Sequence, residues 1–408
     1  MLYDDLKWRG LVESITHEDL IEKLNQGGMT FYIGTDPTGD SLHIGHLSSM
    51  LVAKRLKDAG HNPIILVGGG TGLIGDPRST SERDVISKEV LQNNYESLCV
   101  QIKKLFGFQM VNNYDWYKDV NFIDYLRDYG KCFNINYMLS KETVKSRLEA
   151  GISYTEFSYM ILQSIDFLHL YEEKGVTLQI GGSDQWGNIT SGLELIRKKH
   201  PESECFGFTM PLITKADGTK FGKSEGGAIW LDKSKTSSYA LYQFLINSED
   251  AKVIDYIKKL TFLTREKIEE LEKKHMESPE QRLAQETLAK EVITFLHGSE
   301  SYEEALAISE ALFKGNVKSL SKEEIDGVVS ILDHGVVKVE DELVDVLVNN
   351  EVAKSKREAR EFITNGTISL NGDRVSDVSY KIKTKDLLYE KYLFVRRGKK
   401  KYTLLTCN

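Results

Sequence analysis

Two histidines, His43 and His46, stand three residues apart where the sequence pattern changes from strand to helix. Residues 31–34 have the apolar character of a buried strand end, and the apolar residues after Ser41, the predicted N-cap, keep helical spacing. The first amide groups of a helix lack partners and attract anions. Both rings face the same way and can donate hydrogen bonds to one polyphosphate, while Gly45 leaves the backbone open to a nucleotide. The stretch therefore predicts a phosphate site; a capped helix with two surface histidines is the alternative.

A second group of polar residues follows one face of an otherwise apolar helix. Tyr159, Gln163 and Asp166 are spaced by four and three residues, which places them on the same face. An unpaired carboxylate is costly to bury, so Asp166 requires a hydrogen-bond donor, and a phenol would supply one. Gln163 and Tyr159 are neutral polar groups suited to an ammonium. The alternative is a solvated or salt-bridged carboxylate.

A third candidate is the polar loop at residues 214–224, which contains Lys215, Lys220 and Lys223. Most short lysine clusters are solvated basic segments, and the residues alone leave that interpretation open here.

The elements that would position these residues form an alternating strand and helix pattern. Predicted strands at 29–34, 63–67 and 176–180 each end in a loop rich in Gly, Asp or Gln, which is typical of ligand crevices in open α/β sheets. Residues 70–75 match G-x-G-x-x-G, the dinucleotide fingerprint. We reject that interpretation because Asp76 and the proline after it interrupt the loop, and the position about 20 residues on lies in a polar helix. The glycines instead indicate a loop close beneath a substrate, with Asp76 facing a cation.

Composition changes along the chain divide its 408 residues into four parts. We expect a doubly wound parallel α/β domain at 1–230, an all-α domain at 231–320, a linker at 321–342 and a small α+β domain at 343–408. No apolar run is long enough to cross a membrane, and the N-terminus lacks the features of a signal peptide, so a cytoplasmic protein is expected. The four cysteines have no C-x-x-C spacing, so neither a zinc site nor a disulfide framework is predicted.

The formal net charge of −8 hides a basic C-terminal end. A basic helix face is followed by a tight Asn-Gly hairpin, and an alternating strand pattern then carries further cations. This combination suits shape-based contact with an RNA backbone, with an unstructured basic tail as the alternative. The candidate RNA-binding residues are Lys356, Arg357, Arg360, Arg396, Arg397, Lys399, Lys400 and Lys401.

Four strings carry a family resemblance. Residues 37–47, which end in His-Ile-Gly-His-Leu, closely resemble the signature of class I aminoacyl-tRNA synthetases. Residues 154–159, 179–188 and 220–224 resemble strings of the bacterial tyrosyl-tRNA synthetases, and the resemblance covers nearly the whole chain. It implies a Rossmann-like catalytic domain, a helical anticodon-side domain and a C-terminal RNA-binding module of a kind shared with a ribosomal small-subunit protein. It also implies a homodimer.

The resemblance assigns roles residue by residue. Tyr32 and Asp166 would bind a phenolic hydroxyl, and Gln185 would lie near the carboxylate of the substrate. The ammonium would be held by Asp76, Tyr159 and Gln163. The residues that would contact the nucleotide and its ribose are Gly34, Asp36, His43, His46, Gly182, Asp184 and Lys223. The residues that would act on the phosphates as catalytic groups are Thr38, His43, His46, Lys220 and Lys223.

One segment departs from the family pattern. After the Asp-Pro pair this chain reads Arg-Ser-Thr-Ser-Glu-Arg at residues 78–83, where related sequences often have a longer loop that contains lysine. Arg83 could still reach a pyrophosphate group, and the role of Arg78 stays open.

Together these features predict a tyrosine-activating ligase. Its substrates would be L-tyrosine, ATP accompanied by Mg²⁺, and the cognate tRNA, with no protein cage for the metal ion. The carboxylate of tyrosine would attack the α-phosphate of ATP without a general base, and tyrosine would then pass to the 3′ end of the tRNA. Two alternatives remain: an adenylyltransferase for another acid such as tryptophan, and an RNA-binding protein that has lost activity.

Overall fold

The computed structural model describes residues 1–77, 86–149, 151–224, 227–329, 331–398 and 401–407, and leaves the side chains of Glu142, Thr143, Lys223 and Ser224 undescribed. This described part of the chain divides into two compact units. The first consists of Met1–Asp232 with Glu249–Pro279, and the second of Lys233–Ser248 with Glu280–Asn408.

The first unit is built on a sheet that has six strands within the described residues. They are β1 (Ser14–Ile15), β2 (Thr30–Thr35), β3 (Asn62–Val67), β4 (Gln109–Asn112), β5 (Val176–Gly182) and β6 (Phe206–Met210). The spatial order is β1-β6-β5-β2-β3-β4, and every neighbouring pair is parallel except β1 with β6. The chain therefore leaves β2 on one side and later returns on its other side, which is the predicted doubly wound arrangement.

Helices pack against this sheet and bring the polar residues to its edge. The helices Ile44–Asp58 and Lys88–Phe106 contact β3, while Tyr154–Lys174 and Trp186–Lys199 contact β5. The other α-helices of this unit are Leu2–Trp8, Asp19–Gln26, Tyr114–Tyr117, Phe122–Asp124, Ile135–Leu139, Glu142–Lys145, Val253–Leu260 and Arg265–Glu277. A two-stranded hairpin of β7 (Lys223–Ser224) and β8 (Gly227–Ala228) completes its regular structure within the described ranges.

The helix that carries the two histidines begins at Ile44, and its N-cap is His43. The prediction of Ser41 as the N-cap is wrong. The reason is the side chain of Gln101, which donates to the Ser41 hydroxyl at 3.0 Å and accepts from the amide of Leu42 at 2.8 Å. By binding both residues, the side chain of Gln101 keeps Ser41 and Leu42 outside the helix.

Residues 249–279, predicted within the helical domain, belong to the first unit because two buried arginines bind their backbone. Arg9 donates to the carbonyls of Lys258 at 3.1 Å and Leu263 at 2.7 Å, and Arg55 donates to the carbonyl of Thr261. These carbonyls follow or end a helix and would otherwise lack donors. The arginines lie some 200 residues away in sequence, so no local pattern could reveal the contact.

The second unit combines helices with a mixed sheet. Its α-helices are Ser238–Ile246, Leu283–His297, Ser299–Lys314, Lys322–Val328, Leu343–Asn349 and Lys356–Thr364. Its strands are β9 (Asp333–Val337), β10 (Ile368–Leu370), β11 (Asp373–Arg374), β12 (Tyr392–Arg397) and β13 (Lys401–Cys407). They follow the order β11-β10-β12-β13-β9, with β13 and β9 parallel and the other pairs antiparallel.

The segment 321–342, predicted as a linker, contains regular structure. Ser321 and Glu324 form a capping box that begins the helix Lys322–Val328, and β9 then joins the sheet. The sequence of β9 lacks a clear strand pattern because four of its five residues are exposed or half-buried. In addition, the strand that it pairs with comes much later in the chain.

We expect Arg9→Met to lower the free energy of unfolding of the full chain by about 2–4 kcal/mol, because it leaves two partly buried carbonyls and Asp5 without their donor. The measurement is urea-induced unfolding followed by circular dichroism. Lys274→Met is the matched control, since its exposed ion pair with Glu270 contributes little. Equal stability of the two variants would contradict the proposed role of Arg9.

Candidate active site

Most of the predicted site residues gather at the carboxyl ends of β2 and β5, where the strand order reverses. Open α/β sheets bind ligands at this point. Asp36 follows β2, while Gly182 ends β5 and Asp184 and Gln185 lie in the short helical turn Ser183–Gln185. The loop after β3 supplies Asp76 to the same crevice.

His43 and His46 cap the helix N-terminus reciprocally. The Nδ1 atom of His43 accepts from the Gly45 amide at 3.1 Å, and Nδ1 of His46 accepts from the His43 amide at 3.2 Å. A neutral imidazole whose Nδ1 accepts carries its proton on Nε2. Each ring is therefore set as an Nε2–H donor, and the two rings stack with centroids 3.8 Å apart.

Burial keeps the second histidine neutral. Desolvation, with a smaller contribution from His43, lowers the pKa of His46 to about 3. A glycine is required at position 45, because a Cβ there would stand 2.9 Å from Cε1 of His43. His46 can thus offer a hydrogen bond to an anion without carrying charge.

Asp166 is buried, with 2% of its surface exposed, and its carboxylate is held by side chains from one short segment. Among the described residues, its Oδ1 accepts from the Trp116 indole at 3.0 Å and the Tyr117 hydroxyl at 2.5 Å, and its Oδ2 accepts from Asn113 at 3.1 Å. Burial raises the pKa of Asp166 to about 7, although these donors act in the opposite direction. The geometry leaves room on Oδ2 for one more donor.

The Tyr32 hydroxyl is buried and, among the described residues, has no hydrogen-bond partner. Burial, together with the charge of nearby Asp166, raises the pKa of Tyr32 well above its ordinary value, so the phenol stays neutral. A buried hydroxyl without a partner is costly unless a ligand completes it. Tyr32 and Asp166 together therefore suit a ligand hydroxyl, which can accept from one and donate to the other.

Asp36 is joined to Asp166 through two side chains. The Thr71 hydroxyl donates to Oδ1 of Asp36 at 2.8 Å, and the Tyr159 hydroxyl donates to Oδ2 at 3.0 Å. Asn113, which is fully buried, donates to the Thr71 hydroxyl at 2.9 Å as well as to Asp166. The two carboxylates are thus held in one hydrogen-bonded network.

A second polar cluster surrounds Asp76. Its Oδ2 accepts from the Gln185 amide at 2.8 Å, and its Oδ1 accepts from Asn188 at 3.4 Å. Asn188 also donates to the side-chain oxygens of Gln163 at 3.0 Å and Gln185 at 3.1 Å. This concentration of oxygen atoms suits a cationic ligand group such as an ammonium.

The end of the lysine loop and the segment that follows it, residues 227–231, are held beside the histidines. Ile44 donates its amide to the carbonyl of Ile229 at 2.8 Å, and Leu231 donates to Leu42 at 2.8 Å. Gly222 has φ +94° and packs so closely on Ile44 that a Cβ would lie 2.4 Å from its Cγ2. These contacts fix the end of the loop next to the helix N-terminus.

The remaining predicted residues are solvent-exposed or lie outside the description. Gly34, Thr38, Asp184 and Lys220 are exposed around the crevice, where a ligand could reach them. Lys223 has its backbone in β7 but its side chain is outside the described atoms, as are Arg78 and Arg83 entirely.

Four supporting residues escaped the sequence analysis: Thr71, Asn113, Trp116 and Tyr117. The stretch 111–116 showed no regular pattern, and the structure resolves it into the end of β4 and a four-residue helix. The one available signal was an Asn pair directly after an apolar run, which is typical of a strand end at a ligand crevice.

The predicted RNA-binding residues lie in the second unit. Arg357 and Arg360 are exposed on the helix Lys356–Thr364, and Lys356 forms an ion pair with Asp345 at 2.5 Å. Arg397 donates to the carbonyl of Val352 at 2.7 Å, so part of its binding capacity is used within the protein.

The basic residues of the last two strands also have internal contacts. The Arg396 guanidinium lies over the Tyr402 ring at 5.8 Å, and Lys401 pairs with Asp333 at 3.4 Å. Lys399 and Lys400 fall outside the described residues.

Two features of the described residues concern membranes and metal ions. None of their helices is both long and apolar enough to cross a membrane. Within the same residues, no group of three or more His, Cys, Asp or Glu side chains is arranged to hold a metal ion.

Comparison with known proteins agrees with this geometry. The family model described as tRNA synthetases class I (W and Y) matches residues 24–314, and the tyrosine–tRNA ligase SYY-like C-terminal domain matches residues 324–405. A tyrosine–tRNA ligase of Listeria welshimeri is 52% identical over 415 residues, covering 99% of both chains. Tyrosine–tRNA ligase 1 of Bacillus licheniformis is also 52% identical, over 416 residues and 99% of both chains.

A solved structure agrees with the fold. The C-terminally truncated mitochondrial tyrosyl-tRNA synthetase of Aspergillus nidulans is 30% identical with a TM-score of 0.68, and the match covers 76% of this chain and 94% of that one. The predicted class I synthetase fold and family are confirmed, and the tyrosyl interpretation is favoured over the two alternatives. The chain belongs to the tyrosine–tRNA ligase family of class I aminoacyl-tRNA synthetases.

Proposed function

We propose that this chain, as a tyrosine–tRNA ligase, forms tyrosyl-adenylate and pyrophosphate from L-tyrosine and ATP and then transfers tyrosine to the 3′ end of its cognate tRNA. The observation that carries the residue roles is the buried Tyr32 hydroxyl, which has no partner among the described residues and lies near a buried carboxylate. A pocket of this kind suits an amino acid whose side chain ends in a hydroxyl.

The phenol of tyrosine would form hydrogen bonds with both Tyr32 and Asp166. Tyr32 donates to the phenol oxygen, and the phenol proton points to Oδ2 of Asp166, where one acceptor position remains. Phenylalanine would supply neither an acceptor for the Tyr32 hydroxyl nor a donor for the remaining position on Oδ2 of Asp166, so the site rejects it. Tyrosyl enzymes are themselves the standard example of this principle.

The Asp76 cluster would hold the other end of the amino acid. The ammonium would lie among Asp76, Tyr159 and Gln163, with Asp76 supplying the negative charge. Gln185 would lie near the carboxylate, and its contact with Asp76 links the two subsites.

In the first step, an oxygen of the tyrosine carboxylate attacks the α-phosphorus of ATP. A carboxylate–phosphorus bond forms as the bond to the bridging oxygen of the β-phosphate breaks, and its electron pair leaves with pyrophosphate. No proton needs to be removed, so catalysis rests on alignment and on donors aimed at the phosphates. Those groups are Thr38, the Nε2–H donors of His43 and His46, and the ammonium groups of Lys220 and Lys223.

The nucleotide would lie along the ends of β2 and β5. Gly34 and Asp36 would contact it from β2, where an exposed glycine leaves the strand end open. Gly182 and Asp184 would contact the ribose from the end of β5. A Cβ at Gly182 would stand 2.6 Å from Oδ1 of Asp184, which supports the need for glycine there.

Mg²⁺ would accompany ATP and balance charge on its phosphates. The described residues offer no cluster to cage it, so the ion would be held mainly by phosphate oxygens and water. The tRNA would contact the exposed cations of the second unit, chiefly Arg357 and Arg360. Protein synthesis is the process this reaction serves, which supports a cytoplasmic location.

A homodimer through the segment 120–154 is also proposed. Phe122, Ile123, Ile135 and Tyr154 are each 64–65% exposed, although neighbouring apolar residues of the segment pack on the core. Several large apolar side chains exposed within one segment are typical of protein interfaces, and a second copy of the chain is the occupant the family implies.

The pocket is tested by tyrosine-dependent exchange of labelled pyrophosphate into ATP. We expect Tyr32→Phe to lower kcat/KM for tyrosine by about tenfold and to narrow the discrimination against phenylalanine, because it removes the donor to the phenol. Tyr171→Phe removes a hydroxyl from the same core cluster outside the pocket and should leave exchange unchanged. Absence of exchange in the unaltered protein would contradict the proposed reaction.

Acidification should weaken tyrosine binding. Since the pKa of Asp166 is about 7, the carboxylate is mostly ionised at pH 8 and mostly protonated at pH 6. We expect the KM for tyrosine to rise several-fold from pH 8 to pH 6, while the KM for ATP changes less. If the KM values for tyrosine and for ATP changed with pH by the same factor, this role of Asp166 would be contradicted.

Charge in the exposed apolar segment should disrupt the dimer. We expect Ile123→Asp to shift the mass measured by light scattering after size-exclusion chromatography from two chains to one. Val100→Asp is the control, because Val100 is 69% exposed on the helix Lys88–Phe106, outside the segment. A single-chain mass for the unaltered protein would contradict the proposal.

A further inference from the structure

Trp116 has none of the assigned substrate roles, but its side chain contacts the Asp166 carboxylate. Its indole N–H donates to Oδ1 of Asp166 at 3.0 Å. Hydrogen bonds weaken steeply when the donor turns away from its acceptor, so the plane of the indole decides whether Asp166 keeps this bond. Trp116 lies in a helix of only four residues, which constrains it little by itself.

The imidazole of His169 stacks on that indole. The ring centroids are 4.3 Å apart and the planes differ by 23°, which is the parallel arrangement that aromatic pairs favour. The Tyr117 ring contacts the indole less closely, at 6.1 Å with a tilt of 59°. Of these two neighbours, His169 is the one that covers the face of the indole.

His169 and Asp166 belong to the same helix, Tyr154–Lys174, and are three residues apart. Side chains at this spacing share a helix face. The helix therefore presents the carboxylate together with the ring that orients one of its donors. His169 is half-buried and burial lowers its pKa, against the raising effect of Glu173 and Glu172, so the stacked ring is neutral at neutral pH.

We infer that His169 is a positioning residue for tyrosine recognition: by stacking on Trp116 it keeps the indole N–H directed at the Asp166 carboxylate. The inference rests on the proposed function, because it deepens the role of Asp166 in binding the phenol. His169 itself lies behind Trp116 and is assigned no contact with the substrate. A flat ring is the property that matters, so another aromatic side chain should serve in its place.

The first experiment measures pyrophosphate exchange with His169→Ala in the full chain. We expect the KM for tyrosine to rise about three- to tenfold with kcat nearly unchanged, since the stack supports binding rather than the phosphate chemistry. The discrimination against phenylalanine should fall by a similar factor, because phenylalanine has no hydroxyl for Asp166. His169→Phe should restore the KM to within about twofold of the original, because it keeps the stacked ring.

A double-mutant cycle tests whether His169 acts through Trp116. In a Trp116→Phe background, which removes the indole donor, His169→Ala should cause no further rise in KM. The control is His200→Ala, which removes a ring that contacts Tyr171 of the same helix at 5.3 Å and should leave exchange unchanged. Additive effects, a loss of kcat in place of KM, or failure of His169→Phe to restore binding would each overturn the inference.

Failure of the inference about His169 can be distinguished from failure of the proposed function. If the unaltered protein shows no tyrosine-dependent exchange, the proposed function is contradicted, and near-UV circular dichroism still reports the environment of Trp116 without any activity. His169→Ala should then change the tryptophan signal while His200→Ala does not. An unchanged signal would overturn the inference independently.

Discussion

A carboxylate with almost no exposed surface can remain in the core of this α/β unit only because donors surround it. Asp166 takes them from the segment that follows β4, so a helix of four residues there has a fixed conformation. Through Asn113 and Thr71 the same network reaches Asp36 after β2. The loops after three parallel strands are therefore held around one desolvated charge.

The opposite end of the crevice uses different electrostatics. His43 and His46 are fixed by hydrogen bonds from neighbouring backbone amides, and burial keeps His46 neutral. Cationic groups come instead from a loop whose Lys220 is exposed. Under the proposed function, recognition of the amino acid would depend on buried groups, while recognition of the phosphates would depend on local caps and on side chains that solvent can reach. This difference would suit the proposed reaction, in which charge is redistributed over the tyrosine carboxylate and the phosphates while the phenol and the ammonium keep theirs.

The sequence was informative where function is encoded locally. The helical spacing of Tyr159, Gln163 and Asp166, and the strand-to-helix change before His43, could be read directly because each depends on residues a few positions apart. Asn113 and Trp116 could not be found, since their partner lies about 50 residues away and their own segment has no periodicity. The same limit applies to Arg9 and Arg55, whose acceptors belong to a distant helix. Local rules also misplaced the N-cap at Ser41, because Gln101 occupies that hydroxyl.

The parallel pairing of β9 with β13 affects how the second unit can form during vectorial synthesis. β9 leaves the ribosome before the other strands of its sheet, but the strand that it pairs with, β13, is the last described element of the chain. Until β13 appears, β12 also lacks one neighbour, so a nascent sheet would expose open edges. Pairing between strands about 70 residues apart is slower than pairing within a hairpin, so the sheet of this unit stays incomplete while the intervening residues are made.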